Sequence, residues 1–293
     1  MNKVFGAIEA GGTKFVCAIG DKDLNIIDRV SIKTTIPEET MNQVFKFFDK
    51  YNLLSIGIGS FGPIDINKKS NKYGYITNTP KSGWNNYNFV GAIKSKYNIP
   101  IEWTTDVNAA AYGEVYRGNA KGKNSCIYIT VGTGIGGGVV VNGKILEGNG
   151  HPEMGHILVR KNENDKFEGI CPYHSNCLEG MASGPAIEKR WGNKAFNLSE
   201  KEKVWENEAY YLAQGIMNFS LVLNPECIIL GGGVMKQKQL FSLVRIELEK
   251  LMNGYLILPK LDEYILSPGL GDDAGITGCL LLAKDIVNKY ANF

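Results

Sequence analysis

Ile129-Thr130-Val131-Gly132-Thr133-Gly134-Ile135-Gly136-Gly137-Gly138-Val139-Val140-Val141 is the stretch on which the reading of the chain turns, and Asn142-Gly143-Lys144-Ile145 completes it. A β-branched run enters a turn with five glycines in the seven positions 132–138, and a second apolar run leaves it. The pattern is strand, bare loop, strand. Glycine lets the backbone reach positive φ and lets a ligand approach the N–H groups, at a conformational cost that a simple hairpin would not need. Such a loop can wrap an anion. Gly132, Gly134 and Gly137 have the spacing of the dinucleotide fingerprint, but that motif opens a helix, whereas residues 139–141 stay strand-like and end at the hairpin pair Asn142-Gly143. A Rossmann reading is therefore rejected.

A second copy opens the chain: Ile8-Glu9-Ala10-Gly11-Gly12-Thr13-Lys14, then an apolar run over 15–19 and Gly20-Asp21. Either loop alone reads equally well as a glycine-rich hairpin without a ligand. Two of them, one early and one near mid-chain, predict a duplication in which two similar lobes face each other across a nucleotide. Gly11, Gly12, Thr13, Lys14, Thr133 and Gly134 are the candidate phosphate contacts. No Walker A sequence competes, because the segment 118–123 has the wrong glycine spacing and no Ser or Thr after its lysine.

The 293 residues suffice for one large domain or two lobes with a buried core. Hydrophobic residues at 44% and charged residues at 21% mark a soluble globular chain rather than a disordered one. A net charge of +2 with interspersed signs supplies no basic stripe for nucleic acid and no cationic face for a membrane. Small molecules are the expected partners. The N-terminus lacks the apolar core and cleavage site of a signal peptide, and no apolar run is long enough for a bilayer, so the expected compartment is the cytoplasm. Six cysteines in a chain this long are not a disulfide framework. Cys17, Cys126, Cys227 and Cys279 sit in apolar surroundings typical of buried thiols.

Further along, residues 37–51 have helical spacing of apolar side chains, and 54–60 read as a buried strand leading into Gly59-Ser60-Phe61-Gly62-Pro63, where α/β folds commonly place ligands. Asn78-Thr79-Pro80-Lys81-Ser82-Gly83-Trp84 is polar and turn-prone around an aromatic, suited either to covering a sugar or to an ordinary surface loop. Thr104-Thr105-Asp106-Val107-Asn108 leads from a strand into a small-residue helix. Asp106 reads as that helix's cap and also as a catalytic base, since a hydroxyl attacking a γ-phosphate needs one carboxylate to take its proton. All three histidines, His151, His156 and His174, fall in one short region. Pro152 and Gly155 argue against the helix that a zincin would need. Cys171, His174 and Cys177 follow at three-residue steps with His156 as a fourth donor, two S and two N, which matches a closed tetrahedral zinc site better than a metal-free loop. A closed site cannot activate water, so the zinc is structural. Residues 178–191 read as a helix interrupted at Ser183-Gly184-Pro185, with Pro185 near the nucleotide. Ser199 and Glu202 form a capping box for a long helix to about Leu223. An apolar strand at 227–230 then reaches Gly231-Gly232-Gly233-Val234-Met235, a bare turn against which an adenine can lie, and Gly231, Gly232, Gly233 and Met235 are its candidate contacts.

The paired loops resemble those of the actin-hexokinase ATPase superfamily. The Glu-Ala-Gly-Gly-Thr-Lys version, the Asp-x-Asn-Ala-Ala motif at Asp106 and the Glu-x-Gly-His at 153–156 followed by the cysteine cluster resemble the ROK sugar kinases. His174, standing where that family usually has a third cysteine, is similar to its fructokinase-like branch. The resemblance implies an α/β, two-lobed actin-like ATPase (ribonuclease H-like) fold with a central cleft and a small zinc-bound loop. The first lobe would cover 1–117 and regain a C-terminal helix at 275–290, and the second would cover 118–274. It implies an ATP- and Mg2+-dependent kinase for the 6-hydroxyl of a hexose, D-fructose first, acting as a homodimer. Asp106 would be the base, and Asn78, Asn108, Glu153, His156 and Glu179 would line the sugar pocket. ROK repressors carry a helix-turn-helix ahead of the first loop, where this chain has only a short strand before residue 8. A chaperone-like or filament-forming ATPase explains neither the cysteine cluster nor Glu153-Met154-Gly155-His156.

Overall fold

The computed structural model describes residues 3–291. Its first series of elements comprises β1 (Val4–Ala10), β2 (Lys14–Gly20), β3 (Ile26–Lys33), α1 (Pro37–Phe48), β4 (Leu53–Ser60), the short pair β5 (Tyr75–Ile76) and β6 (Tyr87–Asn88), α2 (Phe89–Lys96), β7 (Ile101–Thr105) and α3 (Asp106–Arg117). The second series runs β8 (Ser125–Val131), β9 (Ile135–Val141), β10 (Lys144–Ile145), α4 (Leu178–Ala182), α5 (Gly184–Trp191), α6 (Glu202–Leu223), β11 (Cys227–Gly231), α7 (Gln239–Met252), α8 (Leu261–Tyr264), β12 (Ile265–Leu266) and α9 (Ala274–Ala291).

The two series build two five-stranded sheets of one topology, ordered β3-β2-β1-β4-β7 and β10-β9-β8-β11-β12. In each, three antiparallel strands are extended by two parallel ones. The duplication expected from the two glycine loops is therefore a duplication of whole sheets, and the fold is the two-lobed actin-like α/β architecture. Central strands read as unbroken apolar runs because both faces are covered. Accordingly β4 and β11 are buried along nearly their whole length, whereas edge strand β3 alternates between partly buried and exposed residues.

Each sheet packs its own core. Phe15, Trp84, Phe89 and Trp103 centre one, while Leu178, Trp205, Tyr211 and Leu248 centre the other. A third cluster of small residues, including Ala7, Ala18, Ala109, Ala111, Cys126, Cys227, Cys279 and Ala283, lies where α3 and α9 meet between the sheets. Contact there is backbone to backbone. An added Cβ on Gly278 would stand 1.8 Å from the Ala109 carbonyl oxygen, and one on Gly57 would stand 1.9 Å from that of Cys279.

Local expectations are corrected at four points. Helix α1 stops at Phe48, and Tyr51 instead closes a turn and hydrogen-bonds Asp28. The Ser199–Glu202 capping box does not form. Helix α6 begins at Glu202 without a side-chain cap, because a turn holds Ser199 outside it, where its carbonyl accepts from Trp205 Nε1 at 3.2 Å. Trp84 does not cover a sugar: it is fully buried, donating from Nε1 to the Thr35 carbonyl at 2.6 Å. The cap of α3 is Thr105, whose hydroxyl accepts from Asn108 N at 3.1 Å, rather than Asp106.

Because α3 and α9 touch through their backbones, Gly278→Val should destabilise the protein by about 3 kcal/mol or more, the upper range for overpacking, and lower activity with it. Gly150→Val, at a position with open space around the added carbon, serves as the control. Thermal melting compares the two, and equal melting temperatures would show that the helices have room to separate.

Candidate functional site

The two glycine turns occupy equivalent places in the two sheets but close differently, the first over four residues and the second over three. Residues 11–13 join β1 to β2 with Gly11 N donating to Lys14 O at 3.0 Å, and 132–134 join β8 to β9 with Gly132 N donating to Gly134 O at 2.9 Å. Thr13, Lys14 and Thr133 are exposed at the tips. A Cβ on Gly12 would lie 3.1 Å from Lys81 Cε, so the bare turn admits a lysine from the 78–84 loop.

A cleft of about 810 Å³ opens between the lobes, with Glu9 and Lys14 on one wall, Asp106 at the start of α3, and Gly231, Gly232 and Met235 after β11 on the other. Of the predicted nucleotide residues, Gly11, Gly12, Thr13, Thr133, Gly134, Pro185 and Gly233 do not line this cleft. Pro185 opens α5, and its neighbour Gly184 donates from N to Gly132 O at 2.8 Å, bracing the second turn from behind. Phe241 and Arg245, one turn apart on α7, also line the cleft. Sequence reasoning missed them, since an i, i+4 pair on an amphipathic helix has no feature that separates it from ordinary packing.

Asp106 is the first residue of α3, and its Oδ1 accepts from Val107 N at 2.9 Å. With Thr105 serving as cap, the other oxygen is left for the cleft. Burial pushes the Asp106 carboxyl up to about 6, and the Glu153 charge adds to this. Glu9 faces it from β1. Its carboxyl is pushed up to about 7, chiefly by burial and then by the Asp106 charge, with Lys14 acting in the opposite sense. Glu9 Oε2 is buried with no partner. Asn108 is fully buried, donating to Thr104 Oγ1 at 3.1 Å and accepting from Val139 N at 3.4 Å. Both ends of its amide bond the protein, so it joins the two sheets beneath Asp106.

The histidines divide. His156 Nδ1 lies 3.8 Å from Cys171 Sγ and 3.6 Å from Cys177 Sγ, and His174 Nδ1 lies 3.8 Å from Cys171 Sγ. These four donors fall within 4.8 Å of one another. Zn–S and Zn–N bonds of about 2.3 and 2.0 Å in a tetrahedron require ligand spacings of this size, so the residues fit the ion. His151 is elsewhere, with its Nε2 accepting from Ile64 N at 3.2 Å and its Nδ1 3.6 Å from Glu153 Oε1. It ties the 151–156 segment to the loop after β4.

The remaining ring nitrogen of His156 points at Glu179 Oε1, 3.9 Å away, and Glu179 Oε2 accepts from Ile135 N at 2.9 Å. The cysteine cluster is thereby connected through His156 and Glu179 to the second glycine turn. A Cβ at Gly134 would stand 2.5 Å from Glu179 Oε2, so a larger residue there would displace that carboxylate. Asn78 is exposed on the loop after β5.

Residues 5–286 match the ROK family. The chain is 49% identical over 281 residues to the fructokinase of Pediococcus pentosaceus, with 96% of this chain and 98% of that one covered. It is 45% identical over 296 residues to the fructokinase of Streptococcus mutans, with 99% and 100% covered. The crystal structure of a ROK family glucokinase from Streptomyces griseus in complex with glucose and AMPPNP superposes with a TM-score of 0.78 at 22% identity, covering 96% of this chain and 99% of that one. With the paired sheets, the cleft and the Cys/His cluster, these matches over nearly the full length make the chain a member of the ROK family.

Proposed function

We propose that the protein is an ATP-dependent fructokinase, which transfers the γ-phosphoryl group to the 6-hydroxyl of D-fructose. The carrying observation is the Asp106 carboxylate, open on one side to a cleft that is also lined by Lys14 of the first glycine turn and by Gly231, Gly232 and Met235. Phosphoryl transfer asks little covalent chemistry of the protein, so positioning and charge stabilisation do most of the work. In this reading Gly11, Gly12, Thr13 and Lys14 from the first turn and Thr133 and Gly134 from the second bind phosphates. Gly231, Gly232, Gly233 and Met235 hold the adenine, and Pro185 supports it from α5. Asn78, Glu153, His156 and Glu179 bind the sugar, and Asp106 takes the hydroxyl proton.

The same reading divides the chain into lobes of 1–117 with α9, and 118–274, that close on the substrates. Full-length identity to fructokinases supports the substrate. Thr105 supports it too, because its short side chain, engaged in the α3 cap, does not reach as far as the Asn that the related glucokinases carry before the base. Glu9 fits a place beside Mg2+: a buried, unpartnered carboxylate oxygen opposite a second carboxylate is matched by a divalent cation, which would keep both groups ionised and shield the phosphates. Six free, buried thiols suit the reducing cytoplasm, and the family resemblance supports a homodimer. Among the described residues no helix is long and apolar enough to cross a membrane.

Asp106→Asn should keep the fold and sugar binding while lowering turnover by about two to four orders of magnitude, the usual worth of a positioned base. A base works only when ionised, so wild-type turnover should rise with pH through about 6, where the Asp106 carboxyl loses its proton. The residual rate of the variant should lack that rise. A coupled assay across pH reads both, and near wild-type turnover would remove Asp106 from the role.

Zinc at His156, Cys171, His174 and Cys177 should be present at one ion per chain in protein purified without added metal. Because an ion held only by the folded state stabilises it, chelation should lower the melting temperature and raise the KM for sugar. Metal-free protein with full activity and unchanged melting is the contrary result.

Fructose should exceed glucose and mannose in kcat/KM, since leaving one substrate hydroxyl unpaired in a polar pocket costs strongly. A hexose panel with ATP and Mg2+ gives the ratio. A value below one would point to a glucokinase or mannokinase, and absence of turnover on every sugar would favour a sugar-binding regulator.

A further inference from the structure

The lobe formed by the second sheet carries another cleft, about 830 Å³, between the C-terminal end of α5, the first turns of α6, the 162–167 loop and α7. Arg190 lies at its base with only 6% of its side chain exposed. The guanidinium is fixed from three sides. Its Nε sits 3.2 Å from Asp165 Oδ2, and its plane stacks 4.3 Å from the Phe167 ring and 5.3 Å from the Tyr211 ring. Asp165 is itself anchored, accepting from Phe167 N at 3.0 Å and from Tyr211 Oη at 2.7 Å.

This clamp immobilises the arginine yet leaves Nη1 and Nη2 buried without a partner. Trp191 Nε1 and Asn207 Nδ2, on residues that line the same cleft, are buried and unpartnered as well. Every orphaned side-chain atom of the residues lining this cleft is a nitrogen donor, and a buried donor left unmatched costs about 1–3 kcal/mol. An occupant that only accepts hydrogen bonds resolves all of them together. The charge agrees. Lys166, Lys189 and Lys203 line the cleft against the single unpaired carboxylate Glu206, since Glu247 is matched by Lys250 at 2.6 Å and Asp165 by Arg190. Glu208, buried near Arg190, has both carboxyl oxygens without a partner; burial raises its pKa and the Arg190 charge acts in the opposite sense.

The geometry points to a second anion site in this cleft, built around Arg190, that takes the phosphate group of a small phosphorylated metabolite and is separate from the nucleotide cleft. Arg190 presents the paired Nη edge to two phosphate oxygens, the arrangement that makes arginine–phosphate contacts strong. Trp191, Asn207 and the lysines complete the cage. Helix α5 carries Arg190 at one end, and at the other Gly184 holds Gly132 of the second turn, so occupancy of this cleft bears on the helix that braces the phosphate loop.

The test is calorimetric titration of the whole protein with inorganic phosphate, and separately with fructose 6-phosphate, while saturating AMPPNP and fructose together fill the catalytic cleft. Binding that persists under AMPPNP and fructose is expected, tenfold or more weaker in Arg190→Gln. Because Arg190→Gln also unpairs Asp165 and can compromise folding, Lys189→Gln/Lys203→Gln is the second variant. It should fold and turn over like wild type but bind phosphate several-fold more weakly, with a reduced salt dependence. Tighter binding of fructose 6-phosphate than of inorganic phosphate assigns the metabolite as a sugar phosphate, whereas equal binding assigns the free anion. No binding under AMPPNP and fructose, or binding unchanged in both variants, overturns the site. Failure here leaves the kinase assignment untouched, because that rests on Asp106 and the other cleft.

Discussion

The contact between α3 and α9 is the constraint on which the rest of the structure depends. Helix α3 follows the last strand of the first sheet and α9 the last strand of the second, and they approach so closely that only glycine fits at Gly278 and, where α9 crosses β4, at Gly57. Both helices open onto the cleft. Asp106 is the first residue of α3, and the Glu9 carboxylate packs against Gly275 in the first turn of α9. The distance between the two carboxylates is therefore fixed by small residues packed some turns away. Interiors at crystal-like density transmit such constraints, since no void exists to absorb a shift.

The electrostatics of the cleft follow from that placement. Asp106 and Glu9 are both pushed up, to about 6 and about 7, by burial first and by neighbouring carboxylates second. A folded state that raises a carboxyl's pKa is favoured by protonation, so this pair contributes stability below the ordinary carboxylate range and loses it as pH rises through 6 to 7. Substrates and cations reverse the balance by supplying positive charge and donors. Structural strength in the second lobe comes from elsewhere: the cysteine and histidine cluster orients His156, His156 faces Glu179, and Glu179 holds the Ile135 amide beside the glycine turn. The Cys/His cluster is thus linked to the second glycine turn through two side chains.

Much of this was legible in the chain. Glycine-rich turns flanked by β-branched runs announce strand–turn–strand units, because no other residue allows so bare a backbone, and two of them announce a duplicated fold. The Cys171, His174, Cys177 spacing with His156 points to a donor cluster, and the four ligand atoms do fall within 4.8 Å of one another, where they could hold a metal ion. Apolar runs placed the strands at β4 and β11, for burial is written directly into which residues are hydrophobic, whereas the long helix 202–223 is read from a capping box that does not form.

Tertiary structure alone decided how those pieces share work. His151 stands beside His156 in sequence yet turns to the opposite lobe, since backbone direction after Pro152 is set by packing and not by residue type. Thr105, not Asp106, caps α3, and that choice depends on which side chain the preceding strand aims at the helix amides. Trp84 became core rather than sugar cover because Phe15 and Phe89 arrive from distant segments to enclose it. Arg190 likewise carries no motif. Its clamp of Asp165, Phe167 and Tyr211 assembles only when a loop and two helices converge, whereas the glycine turns need nothing beyond their own residues to be recognised. Local backbone chemistry is encoded locally, but the partner of a side chain is a property of the folded chain.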